Sequence, residues 1–119
     1  MSCQLRHDIT VIRGDTRTLF VGLSGGWANI ADDPSLYRGR LVFRERQDDN
    51  LPDILAVEAE PEPYSDPANQ ALRWMLNFTM TPAETEALPT YSIVHFCEIR
   101  TTDGAFVQRL FEGRVRQRD

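Results

Sequence analysis

The sequence predicts an all-β protein built as an antiparallel β-sandwich of about seven short strands. Three observations lead to this prediction. Apolar and polar residues alternate in several stretches, turn-forming residues separate those stretches, and no stretch keeps a long helical period. Sheets that each bury one face produce such alternation. A small barrel is the alternative architecture. The length of 119 residues suits one domain, residues 1–119.

Two short strands are predicted in the first part of the chain. Gly14 and Asp15 interrupt an apolar run that begins at Ile9. Residues 16–23 then alternate again. The apolar residues that share one face of this second strand are Leu19, Val21 and Leu23.

The middle of the chain contains two further predicted strands. The glycine pair at 25–26 predicts a turn, because glycine permits positive φ angles. Residues 41–46 form the third strand, and residues 54–60 form a fourth that is expected to pair with residues 72–80. The proline-rich stretch 61–69 is predicted to be a surface loop, since proline cannot donate a ladder hydrogen bond.

A continuous meander with one inset helical turn is predicted over residues 72–115. Thr81-Pro82-Ala83-Glu84 has the residue types of a capping box with proline at the first helical position, so a helical turn is expected over residues 82–88. Asp103-Gly104 predicts a type I′ hairpin, because both residues tolerate positive φ.

The predicted core consists of the apolar residues on the inward faces of these strands. They are Leu19, Val21, Leu41, Phe43, Leu72, Trp74, Leu76, Phe78, Ile93, Ile99 and Leu110.

Composition argues against several classes of protein. The net charge of −5 is unfavourable for binding nucleic acid, and no apolar run approaches the roughly 20 residues that span a bilayer. The N-terminus lacks the apolar segment of a signal peptide, so synthesis in the cytoplasm is expected. We therefore expect neither nucleic acid nor membrane as a partner.

No group of residues predicts catalysis, a cofactor or a bound metal. His95 and Cys97 share the inward face of one strand, but no third group or oxyanion donor accompanies them. We interpret His95 as a core residue with one hydrogen bond and Cys97 as a small buried hydrophobe, whereas Cys3 is expected to be an exposed or loosely held thiol. The protein is predicted not to be an enzyme.

Two other patterns are interpreted as structural. Arg13-Gly14-Asp15 matches an integrin-binding tripeptide, but here it breaks one strand and starts the next. The acidic residues between 48 and 62 lack the spacing and the glycine of a calcium loop, and we interpret them as a solvated edge.

The order of these elements resembles a known family. The ordered features are Arg13-Gly14-Asp15-Thr16, a strand of the Leu41-Val42-Phe43-Arg44 type, the turn from Met80 to Pro89, Asp103-Gly104, and Arg109-Leu110-Phe111-Glu112-Gly113. This order is similar to the immunoglobulin-like N-terminal domain of tailed-phage baseplate proteins and to small stand-alone phage structural proteins.

The resemblance implies an immunoglobulin-like sandwich and a non-enzymatic virion protein. Such a protein would act as a multi-copy adaptor in the tail or baseplate that attaches fibres or neighbouring subunits, and its partners would be tail, baseplate or capsid proteins. A head-decoration or capsid-cement protein is the alternative within this class. A carbohydrate- or ligand-binding module is the alternative of another class, with Trp27, Tyr37 and Tyr64 as its platform.

Six residues are predicted to form protein contacts. The aromatic candidates lie in or beside predicted loops, and the arginines lie on the last strand, where they would suit an acidic neighbour. The residues are Trp27, Tyr37, Tyr64, Arg109, Arg114 and Arg116.

Overall fold

Two facing β-sheets and one short helix make up the described part of the protein. The computed structural model describes residues 5–24, 36–48, 50–63, 68, 72–105 and 107–118. The elements are β1 (Leu5–Arg6), β2 (Ile9–Ile12), β3 (Arg17–Ser24), β4 (Tyr37–Arg44), β5 (Leu55–Ala59), β6 (Glu62–Pro63), β7 (Leu72–Met80), α1 (Pro82–Glu86), β8 (Ile93–Thr101) and β9 (Val107–Arg118). None of the helical structure described is long and apolar enough for a bilayer crossing.

The first sheet has the strand order β1-β9-β8-β4-β5, and β2 also pairs with β9. β1 and β2 lie on the same side of β9, where Leu5 pairs with Phe111 and Ile9 pairs with Val115. Both pairings are parallel, whereas β9, β8, β4 and β5 are antiparallel to their neighbours.

The second sheet has the order β3-β7-β6, and its strands are antiparallel. Leu19 of β3 lies opposite Phe78 of β7, so the apolar sides of both strands point the same way, toward the first sheet. The all-β, two-sheet prediction agrees with this architecture.

The core lies between the two sheets. Its largest fully buried residues include Leu41, Phe43, Leu76, Phe78 and Met80, each 0% exposed. The predicted core residues Leu19, Leu41, Phe43, Leu76, Phe78, Ile93 and Ile99 are buried, whereas Val21, Trp74 and Leu110 are partly buried and pack against them. The side chain of Leu72 lies outside the described residues, as do Cys3 and the predicted turn at 25–26.

Two predicted strand pairings are wrong. β5 pairs with β4, in the register Leu41 to Val57, and not with β7. The stretch 72–115 is also not one meander, because β7 belongs to the second sheet while β8 and β9 belong to the first. The chain crosses from one sheet to the other through α1.

The helical turn forms as predicted and is shorter than expected. The hydroxyl of Thr81 accepts a hydrogen bond from the Glu84 amide at 3.2 Å, and the Thr81 amide donates to the Glu84 carboxylate at 2.9 Å. This is the predicted capping box. The helix ends at Glu86, with Ala87 as its C-cap, rather than at residue 88.

The predicted type I′ hairpin at Asp103-Gly104 is wrong. A type I′ turn requires positive φ at both central residues. Gly104 has φ of +79°, but no described residue other than glycine has positive φ, so Asp103 does not meet this requirement. Instead, the Gly104 amide donates to the Thr101 carbonyl at 3.0 Å, and the Asp103 carboxylate accepts from the Ala105 amide at 2.9 Å. The aspartate side chain thus closes a longer loop, beyond the last pair of Arg100 with Val107.

Candidate interaction surface

Arginine is concentrated on the solvent side of the first sheet. All thirteen basic residues of the chain are arginines, and none is lysine. In β4, Arg38, Arg40 and Arg44 alternate with residues that point into the core, and β8 and β9 add further arginines by the same alternation. We call this surface the arginine face and define it by Arg38, Arg40, Arg44, Arg100, Arg109, Arg114, Arg116 and Arg118.

One half of the arginine face is neutralised by an ion-pair network. Arg40 lies 3.3 Å from both Glu98 and Asp53, and Arg100 lies 2.7 Å from Glu98. Arg44 lies 2.8 Å from Asp53. The Glu98 side chain is only 8% exposed, and a carboxylate so enclosed requires such partners because its desolvation is costly. The network therefore joins β8 to β4, and β4 to the segment just before β5.

Arginine side chains also cover an apolar pair on this face. Phe96 is 2% exposed and Val42 is 0% exposed, although both point away from the core between the sheets. The guanidinium of Arg109 lies 3.9 Å from the centre of the Phe96 ring, and that of Arg44 lies 4.9 Å from it. A guanidinium over an aromatic face is attracted to it, and its stem shields apolar surface from water.

The part of the face formed by residues 114–118 of β9 is different, because its arginines are exposed. Arg114, Arg116 and Arg118 alternate with Val115 and Gln117, which are less exposed. Among the described residues, no carboxylate forms an ion pair with these three guanidiniums. They form the exposed arginine row, which is accessible to an anionic group of another molecule.

The row is held in place by the junction between β1 and β2. The Asp8 carboxylate accepts a hydrogen bond from the Arg114 amide at 2.9 Å, and this bond lowers the pKa of Asp8. His95 places Nε2 at 2.6 Å from the His7 carbonyl, so Nε2 must be the donor. A Cβ at Gly113 would lie 2.3 Å from the His7 carbonyl oxygen, so only glycine permits this close approach.

His95 and Cys97 are core residues, as predicted. Both are 0% exposed, and burial lowers the pKa of His95 while it raises that of Cys97 to about 12. A thiol with this pKa is protonated at neutral pH and is a poor nucleophile. The Nδ1 atom of His95 is buried and has no hydrogen-bond partner among the described residues.

The Arg13-Gly14-Asp15 turn is packed against α1. The Gly14 amide donates to Thr85 Oγ1 at 3.1 Å, and Thr85 Oγ1 donates to the Asp15 carbonyl at 2.8 Å. Arg13 donates to the Glu86 carbonyl at 3.0 Å. The tripeptide therefore connects the start of β3 to α1, in agreement with its structural interpretation.

The acidic stretch between 48 and 62 contains the edge strand β5, and its residues 53, 58, 60 and 62 are exposed, in agreement with a solvated edge. Three of these carboxylates also form ion pairs. Asp53 forms ion pairs with Arg40 and Arg44, Glu58 lies 3.9 Å from Arg40, and Glu60 lies 2.9 Å from Arg38. Within the described ranges, no group of three metal-binding side chains is placed to hold an ion.

The six predicted contact residues have different surroundings. Arg109, Arg114 and Arg116 share the arginine face, and Arg109 lies 3.8 Å from Glu112. Tyr37 is partly buried and packs against the core. Trp27 and Tyr64 lie outside the described residues. The prediction missed Arg38, Arg40, Arg44, Arg100 and Arg118, although their alternation and the absence of lysine are visible in the sequence.

In comparisons with known proteins, no protein-family model and no curated protein matches this sequence. Its residues and its fold are therefore the basis for assigning a function.

Proposed function

We propose that this protein is a non-enzymatic structural protein of a phage virion with an immunoglobulin-like fold. It acts as a multi-copy adaptor in the tail or baseplate and contacts neighbouring subunits through the arginine face. The resemblance in the order of sequence features implies this role, and two features of the molecule support it.

The strand order supports the immunoglobulin-like assignment. The order β9-β8-β4-β5 corresponds to the G-F-C-C′ strands of a variable-type domain, and β3-β7-β6 corresponds to B-E-D. The chain lacks the disulfide and the tryptophan of antibody domains, since β3 contains no cysteine and β4 contains no tryptophan. Leu41, Phe43 and Leu76 fill the space between the sheets instead.

The exposed arginine row is the main support for the proposed contact with a neighbouring subunit. Arginine is favoured at protein interfaces because its planar guanidinium binds carboxylates with two parallel hydrogen bonds and stacks on aromatic rings. Arg114, Arg116 and Arg118 project from β9, which is paired on both sides, next to the ion-pair network of the arginine face. An acidic surface on a neighbouring subunit would complement them.

Purified virions provide the first test. Mass spectrometry should detect the protein in several copies per particle, and immunogold labelling should locate it on the tail or baseplate. Labelling on the head would favour the decoration role instead, and absence of the protein from the particle would exclude both.

A charge-reversal experiment tests the surface itself. Arg114→Glu combined with Arg116→Glu should reduce incorporation into particles by at least about tenfold, because both contacts to an acidic neighbour become repulsive. Arg46→Glu in the exposed bend after β4 is the control for charge, and its incorporation should be close to that of the wild type. Equal incorporation of all variants would show that the arginine row makes no contact.

A further inference from the structure

The outer edge of β3 is unpaired in the described part of the chain. β3 pairs with β7 on one side, and no described strand pairs with its other side. The strand is 8 residues long and contains no proline, and Arg17 is its one charged residue. Short strands, prolines and charges usually protect an exposed edge, because such an edge otherwise pairs with another chain. Phe20, in the middle of this edge, is 62% exposed.

A groove runs beside this edge, between the two sheets. It has a volume of about 310 Å³ and is lined by Leu19, Phe20, Val21 and Gly22 of β3, by Phe111 of β9, and by Arg6 and His7. The residues of β3 and β9 make it mainly apolar. Its polar lining comes from a basic side chain and a histidine, and no carboxylate is among the described residues that line it.

We propose that this edge binds an extended segment of another protein, which adds a strand to the second sheet. Main-chain hydrogen bonds to β3 would supply affinity, and alternate side chains of the segment would point into the groove. Those side chains are apolar, with one carboxylate beside Arg6. Arg6 is 68% exposed and uses Nε to bind Asp8 at 3.3 Å. Within the described ranges its other N–H groups have no partner, so they can bind a second carboxylate.

Charge favours a different protein over a second copy of this chain. β3 contains no acidic residue, so the β3 strand of a second copy would offer no carboxylate to Arg6 in the groove. An acidic and apolar segment supplies that carboxylate. The inference is independent of the proposed function, because it concerns the second sheet rather than the arginine face.

A model peptide tests the proposal by NMR. The probe is an octapeptide that alternates valine with threonine and carries one aspartate near one end, added at about 1 mM to the isotopically labelled full chain. The amide signals of β3 should shift and their hydrogen exchange should slow. Replacement of the aspartate by lysine should weaken binding about two- to fivefold, as expected for an exposed ion pair.

Protein variants locate the binding site. Phe20→Lys places a charge on the edge and should weaken peptide binding at least about fivefold. Val107→Lys is the matched control, since Val107 is 50% exposed and lies on β9 in the other sheet. Arg6→Gln should remove the preference for aspartate over lysine, whereas Arg46→Gln, in the exposed bend after β4, should preserve it.

Three results would overturn the proposal. The first is an absence of change at the β3 amides, and the second is equal peptide binding by Phe20→Lys and the wild type. The third is a dimer of the free protein, detected by sedimentation, that Phe20→Lys dissociates, because a second copy would then occupy the edge.

Discussion

At the scale of single residues, the side of the strand on which a residue lies decides its role. Phe78 is 0% exposed between the sheets, whereas Phe20, on the neighbouring strand, is 62% exposed. Alternation in the sequence predicted both orientations. Alternation did not predict that Glu98 is buried. Its burial depends on bonds from Arg40, which is 58 positions away, and from Arg100, which is two positions away. Such a site arises from strand pairing and not from local sequence.

The contrast between the two phenylalanines predicts their contributions to stability. Phe78→Ala should lower the free energy of unfolding by about 3–5 kcal/mol, because it removes a buried ring and leaves a cavity. Phe20→Ala is the matched control and should cost less than about 1 kcal/mol. Urea unfolding of both variants measures the difference, and similar losses would show that the register of β3 with β7 is misassigned.

Burial of His95 predicts a dependence of stability on pH. Burial lowers the pKa of the folded side chain, while the unfolded side chain titrates near its ordinary value of 6.5. As pH falls below about 6.5, the unfolded state therefore binds more protons than the folded state, and the free energy of unfolding decreases. Urea unfolding between pH 7 and pH 5 measures this decrease.

A variant without the titrating ring provides the comparison. His95→Gln retains a donor for the His7 carbonyl and should show a smaller change in stability between pH 7 and pH 5. His7→Gln is the control, because it keeps both the main-chain carbonyl that accepts the bond from His95 and the burial that is the main cause of the lowered pKa of His95. Asp8 does not contribute to the change between pH 7 and pH 5, because its pKa in the folded protein is lowered from the ordinary value of 3.8. An unchanged pH dependence in His95→Gln would assign the effect to another group.

At the scale of elements, the strands were predictable but their partners were not. The alternation in β5 is compatible with pairing to β4 or to β7, because both offer strands of similar pattern. The capping box of α1 was predictable because its two hydrogen bonds lie within four consecutive residues. The attachment of the turn at 13–15 to α1 was not predictable, because 71 positions separate Gly14 from Thr85.

This attachment predicts the effect of a change in α1. Thr85→Val keeps the shape of the side chain and removes its hydroxyl, so the Gly14 amide and the Asp15 carbonyl lose their partner. The free energy of unfolding should fall by about 1–3 kcal/mol. Thr79→Val on the exposed side of β7 is the control and should change it little. Equal thermal unfolding of the two variants would show that the turn does not depend on Thr85.

The β8–β9 loop makes a separate prediction. Gly104→Val should cost about 1–2 kcal/mol, because a side chain disfavours the left-handed conformation at φ of +79°. A Cβ at this position meets no atom of the described residues within 4 Å, so the cost is assigned to conformation rather than to a clash. Gly104→Asn should cost less, since asparagine tolerates this conformation better. If the Gly104→Val and Gly104→Asn variants unfold at the same temperature, the loop adopts another conformation in solution.

At the scale of the whole molecule, charge is distributed unevenly. The chain has a net charge of −5, yet eight of its thirteen arginines define one sheet face. The net charge of the sequence therefore does not predict the arginine face. The pairing of β4, β8 and β9 brings these arginines together. Arg109, Arg114 and Arg116 of β9 were predicted as contacts, because arginines on the last strand would suit an acidic neighbour.

The parallel pairing of the first strands with β9 has a consequence for fusion and permutation. Leu5 lies beside Phe111, and the strand then continues to Arg118, which lies beside Ile12. At about 3.3 Å per residue, this places Leu5 and Arg118 roughly 23 Å apart, toward opposite ends of the sandwich. A circularly permuted chain needs a linker of at least about seven extended residues between these two positions. Fluorophores attached next to Leu5 and Arg118 would report on opposite ends of the molecule.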